Sequence, residues 1–153
     1  MTVYDYLDLA HMYALKNSGC KKVAVGCVIT QGSALVFGAN RSIPDLCKSR
    51  KCLRVEKYGN DSKNHRNPED CRAIHAEIDA LTKCDNNAHQ YTSKVYVTRY
   101  PCEACARALV SANVGTVYYG REQVISEETA RIFDLNNIMV YHIKDWTAPD
   151  TER

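Results

Sequence analysis

KVYVTRYPCEACARALVSANVGTVYY, residues 94–119, passes from a strand-like run to a helical one and back. Lys94 to Thr98 is rich in the β-branched and aromatic residues that favour a pleated surface. Cys102 to Ala112 has helical composition, and Thr116 to Tyr119 is β-prone again. This strand–helix–strand order points to parallel strands joined by a helix lying on the sheet.

Working outward, Val3, Tyr6, Leu7, Ala10, Tyr13 and Ala14 recur at helical spacing, with Thr2 and Asp5 as a capping pair, so a first helix runs to about Ser18. Gly19 is expected to stop it. Val23 to Thr30 and Ala34 to Asn40 flank Gln31-Gly32-Ser33 as an antiparallel hairpin. Arg41 to about Pro68 is expected to be irregular, and so long a loop is usually functional or disordered. Ala73 to Lys83 has helical composition. Ser126-Glu127-Glu128 supplies an N-cap and an acidic first turn for a last helix, followed by a strand at Met139 to His142 and a polar tail after Trp146. The fold class expected is α/β: one domain over 1–153, built on a mixed sheet with helices on both faces.

The composition of 45% hydrophobic and 25% charged residues belongs to a globular chain. No run reaches the roughly 20 apolar residues of a membrane span, and Met1-Thr2-Val3-Tyr4-Asp5 lacks the pattern of a signal peptide, so a cytoplasmic location is expected. A net charge of +2 is too small an electrostatic footprint for duplex nucleic acid, although it leaves room for a small anionic ligand. Eight cysteines in a reducing compartment suggest free thiols or metal ligands rather than disulfides, the plain alternative for each being a small buried side chain.

Two segments favour metal. His75-Ala76-Glu77 opens one expected helix, and Pro101-Cys102-Glu103-Ala104-Cys105 opens another. Cys102 and Cys105, three apart, lie on one helical face, and His75 supplies a third ligand. Three protein ligands with an open fourth position are the pattern of catalytic zinc. Residues two apart on a helix project about 200° from each other, so His75 and Glu77 share a site only end-on, at the helix N-terminus. There the partial positive charge of two helix ends favours thiolate. Zinc would activate a water and Glu77 would carry its protons, which is hydrolytic deamination chemistry. Either motif alone is weak; in this order they match the zinc deaminase signature.

The chain resembles the cytidine and deoxycytidylate deaminases beyond that signature. Arg72-Ala73-Ile74-His75-Ala76-Glu77-Ile78-Asp79-Ala80 is similar to the Arg-X-Ile-His-Ala-Glu-X-Asn-Ala block of the deoxycytidylate branch, with Asp79 in place of Asn. Val25 to Ile29 with Gly38-Ala39-Asn40 resembles the family's first hairpin, Arg41-Ser42-Ile43-Pro44 stands where its Gly/Pro turn falls, and Glu128 to Arg131 resembles its last helix. The resemblance implies a three-layer α/β/α fold on a five-stranded mixed sheet, one catalytic zinc on His75, Cys102 and Cys105, and Glu77 as proton carrier. It further implies substrate contacts at Asn40, Ala76 and Tyr100, conversion of dCMP to dUMP and ammonia, homo-oligomers, and the effector nucleotides dCTP and dTTP.

Adenosine deaminases acting on tRNA share both motifs, and a catalytically silent zinc or nucleotide-binding module is a third reading. The modest charge and the Arg-X-Ile extension disfavour the first, and Glu77, superfluous in a structural site, disfavours the last. Some relatives hold the long segment with a second, structural zinc. The candidates here are Cys20, Cys47, Cys52, His65 and Cys71, five for four places, against the ordinary reading of core and surface thiols.

Overall fold

A computed structural model describes residues 1–20, 23–42, 52–64, 71–85, 92–121 and 126–149. In chain order these give α1 (Val3–Asn17), β1 (Gly26–Gln31), β2 (Ala34–Ala39), α2 (Leu53–Tyr58), a 3₁₀ helix (Gly59–Asn64), α3 (Ala76–Leu81), β3 (Lys94–Arg99), α4 (Glu103–Ser111), β4 (Thr116–Arg121), α5 (Glu127–Leu135) and β5 (Met139–His142). The strands form one sheet in the order β2-β1-β3-β4-β5. β1 is antiparallel to β2 and β3, whereas β3, β4 and β5 run parallel, as expected for a hairpin followed by strand–helix–strand units.

Alternation along the strands divides the core between the two faces. Val28 and Tyr96 pack with Leu7 and Ala10 of α1 and with Trp146, while Cys27, Ile29, Val95, Val97 and Val117 pack with Ala80, Leu109 and Phe133 of α3, α4 and α5. The three-layer α/β/α arrangement is therefore present. Among the described residues, no helix is long and apolar enough to cross a membrane.

Three local expectations are corrected. The segment expected to be irregular contains α2 and the 3₁₀ helix, although α2 has no buried residue to give a hydrophobic signature. The helix expected from Ala73 starts at Ala76, because Ile74 is paired with Arg41 in an isolated antiparallel bridge that holds the chain extended. At the end of α1, Gly19 has no left-handed φ. It is small for another reason: its N–H meets the Asn40 carbonyl at 3.0 Å, and a Cβ there would press on Ser42.

Candidate active site

Two helix starts build the centre of the site. The Arg41–Ile74 bridge, with N–H···O distances of 2.9 and 2.8 Å, delivers His75 to the N-cap of α3 in an extended conformation, and Glu77 follows in the first turn. On the other side, Tyr100 N–H binds the Arg121 carbonyl, and Pro101 leads to Cys102 at the N-cap of α4. His75 Nδ1 lies 3.4 Å from the sulfur of Cys102 and 3.4 Å from that of Cys105. All three donor atoms fall within 4.8 Å of one another.

This geometry fits zinc. A tetrahedral ion with Zn–N near 2.05 Å and Zn–S near 2.3 Å separates its nitrogen and sulfur ligands by roughly 3.5 Å. Three donors leave the fourth position to a water or substrate. The end-on placement of His75 and Glu77 at one helix start, expected from their two-residue spacing, is present as well.

The three donors shift one another's titration. Cys102 is drawn down to about 4 by the hydrogen bond from Cys105 and by the nearby His75 ring, and His75 is pushed up to about 10 by hydrogen bonds to Cys102 and Cys71. Cys105, which donates to Cys102 and is buried, is pushed far up. Burial also raises the carboxyl of Glu77, which is only 4% exposed, and the neighbouring His75 only partly offsets this. A carboxyl raised in this way suits a proton carrier working near neutral pH.

A pocket opens beside the cluster, walled by Val23, Val25, Asn40, Ala73, Ala76, Tyr100, Cys71, Arg54 and Arg99. The three residues expected to contact substrate, Asn40, Ala76 and Tyr100, thus all reach it. Asn40 is heavily committed: its Oδ1 accepts from Val25 N at 2.9 Å and Ser18 Oγ at 2.6 Å, and its Nδ2 donates to the Val23 carbonyl at 2.9 Å. An amide NH₂ with one such bond has one further N–H to offer. Tyr100 packs edge-on against Tyr119 and Phe133, so most of its ring belongs to the core.

Of the second-zinc candidates, Cys47 and His65 lie outside the described residues. Cys71 sits in the pocket wall and hydrogen-bonds His75, beside the first cluster. Among the described residues, Cys20 and Cys52 join no group with metal-ligand spacing. Arg99 was not anticipated. Its signal is the strand period, for it continues the inward face of Val95 and Val97, and an arginine at such a position needs a polar reason.

The description "Cytidine and deoxycytidylate deaminase zinc-binding region" belongs to a family model matching residues 2–121. ComE operon protein 2 of Bacillus subtilis is 24% identical over 143 residues, which are 91% of this chain and 69% of that protein. The deoxycytidylate deaminase of Saccharomyces cerevisiae is 26% identical over 138 residues, 88% of this chain and 42% of the yeast protein, so the chain spans less than half of that relative. Among solved structures, the dCMP deaminase of cyanophage S-TIM5 in complex with dCMP and dUMP superposes with a TM-score of 0.68 at 23% identity, covering 91% of this chain and 94% of that one. With the His-X-Glu and Cys-X-X-Cys segments inside the matched region and their donors gathered around one point, the chain belongs to the cytidine and deoxycytidylate deaminase family.

Proposed function

We propose that this chain, as one deaminase domain over 1–153, converts dCMP to dUMP and ammonia by hydrolysis. The observation that carries this reading is the meeting of His75, Cys102 and Cys105 in one ligand-sized cluster, with the buried carboxyl of Glu77 in the same pocket. Zinc bound there supplies Lewis acidity, lowering the pKa of a bound water toward about 7. Glu77 takes up a proton from the attacking water and returns it to the departing amine. Asn40 offers its remaining N–H to the sugar, Ala76 and Tyr100 flank the base, and the guanidinium groups of Arg54 and Arg99 give the pocket the positive charge that an anionic phosphate favours.

A second, structural zinc belongs to the same proposal. With Cys71 beside His75, Cys20, Cys47, Cys52 and His65 are left as the four candidates for its four places. Homo-oligomers, regulation by dCTP and dTTP, and a cytoplasmic location complete the proposal and rest on family resemblance. The deciding experiment is ammonia release by zinc-loaded protein from cytidine, deoxycytidine, dCMP, dCTP and adenosine-containing RNA. dCMP should give the highest kcat/KM. Equal efficiency on deoxycytidine and dCMP would remove phosphate recognition, and turnover of the RNA alone would replace the substrate.

A further inference from the structure

We infer that Asp79 is a positioning residue for substrate binding: its carboxylate fastens the end of β2, which leads directly into Asn40, to the helix that carries Glu77. β2 is an edge strand among the described residues, none of which supplies a strand for its outer backbone groups to bond. Successive residues of a strand point their backbone groups to alternate sides, and Asn40 N–H points inward, to the Val25 carbonyl at 3.0 Å. Residues 37, 39 and 41 therefore face out.

At least one outward group of each of these residues is met from the α3 side. The Phe37 carbonyl accepts from Lys83 Nζ at 3.0 Å, Ala39 N–H donates to Asp79 Oδ2 at 3.1 Å, and Arg41 exchanges two backbone hydrogen bonds with Ile74. Asp79 ties these together, accepting from Arg41 Nε at 2.6 Å through Oδ1 and from Lys83 Nζ at 3.2 Å through Oδ2. In effect α3 and its leading residues stand in for a sixth strand. The approach is close enough that a Cβ on Gly38 would collide with the Ala76 carbonyl.

Asn40 lies between Ala39 and Arg41, both held by this ladder, whereas His75 and Glu77 lie on the ladder's other side. The ladder thus sets the distance between the sugar end of the pocket and the reacting end. An asparagine at 79 that still accepts from Ala39 and Lys83 would turn its NH₂ toward Arg41 Nε, donor against donor. The carboxylate, with its side chain 4% exposed, is what both cations require.

The inference rests on the deamination reading, and its test separates the two. Zinc-loaded wild type, Asp79→Asn, Asp79→Ala, Arg41→Met and the Asp79→Asn/Arg41→Met pair are compared for zinc content, kcat and KM on dCMP. Loss of charge-assisted hydrogen bonds should raise KM about tenfold in Asp79→Asn, with kcat within about twofold and zinc retained. Arg41→Met should shift KM in the same direction, and the pair should be no worse than Asp79→Asn, since both act through one contact. If Asp79→Ala fails to fold, Asp79→Asn decides. Active wild type with unchanged KM in Asp79→Asn, or a fall in kcat that tracks zinc loss, overturns this inference alone. Wild type that leaves dCMP intact overturns the deamination reading as well.

Discussion

Two pairs of helices in this protein begin in different ways. α1 and α5 start on side-chain caps: Thr2 and Asp5 form a reciprocal capping box, and Ser126 Oγ accepts from Thr129 N while donating to Glu103 at 2.7 Å. α3 and α4 start on His75 and Cys102, neither of which makes a side-chain cap bond. A missing cap costs about 1 kcal/mol of helix stability. α2, on Cys52, also lacks a side-chain cap, but only in α3 and α4 do the uncapped first residues meet in the candidate metal cluster, where a ligand-type side chain occupies the place of a capping one. α4, at nine residues, also points the positive end of its dipole at Cys102, which favours the thiolate.

The largest test of this contrast is catalytic. Glu77→Gln should retain zinc and lose on the order of 10²- to 10⁴-fold in kcat, because positioned proton transfer is worth about that much. Zinc content by metal analysis and steady-state ammonia release read the two separately. Zinc-loaded Glu77→Gln turning over at the wild-type rate would show that α3 delivers a ligand and nothing more.

Next in size is a trade of function for stability. Cys102→Ser removes a soft ligand but puts a favoured N-cap residue on a backbone already extended at φ −79°, ψ 172°. Zinc affinity should collapse, while the metal-free variant should be more stable than metal-free wild type by about 0.5–1 kcal/mol, measured by urea unfolding. Equal or lower stability would mean that the cap position is not what the metal site sacrifices. Conversely, Ser126→Ala should destabilise by about 1 kcal/mol and leave kcat within about twofold, its cap serving stability alone. A large fall in kcat would show that the Ser126–Glu103 bond also holds α4 in register with the site.

How much of this could be read from the amino-acid order follows the range of the interactions. The hairpin, the strand–helix–strand unit and the cap at Ser126 are written in residues a few positions apart and are present, with β1 starting at Gly26 rather than at Val23. The donors of His75, Cys102 and Cys105 also come together as their two local motifs suggest, in a group that could hold a metal ion. α3 starts three residues later than its composition suggests because Ile74 answers to Arg41, far back in the chain. Arg99, the pocket-side place of Cys71 and the β2 edge ladder were invisible for the same reason: Ala39 to Asp79 spans 40 positions and Arg41 to Asp79 spans 38. Composition also hid α2, whose short turns bury no residue.

The smallest effect concerns what holds α3 in place of a cap. Burial alone would raise the Asp79 carboxyl, but the Ala39 N–H together with Arg41 and Lys83 hold it below its ordinary value. A carboxyl lowered on folding contributes stability that is fully present above its unfolded pKa, about 3.9, and is lost as pH falls through the folded value. Asp79→Asn has no such group to titrate. The stability gap between wild type and Asp79→Asn should therefore be constant from pH 7 down to about 5 and shrink as the acid limb passes below about 4. Both proteins are compared metal-free, so that protonation of the cysteines and His75 does not add a zinc-release step to one curve. Unfolding midpoints at a series of pH values give the gap directly. A gap that persists unchanged to the lowest pH at which both stay folded would mean that the carboxylate's charge is not what holds α3 to the sheet edge, whereas no gap at any pH would mean that the Ala39 N–H bond, which an amide at 79 also accepts, is sufficient.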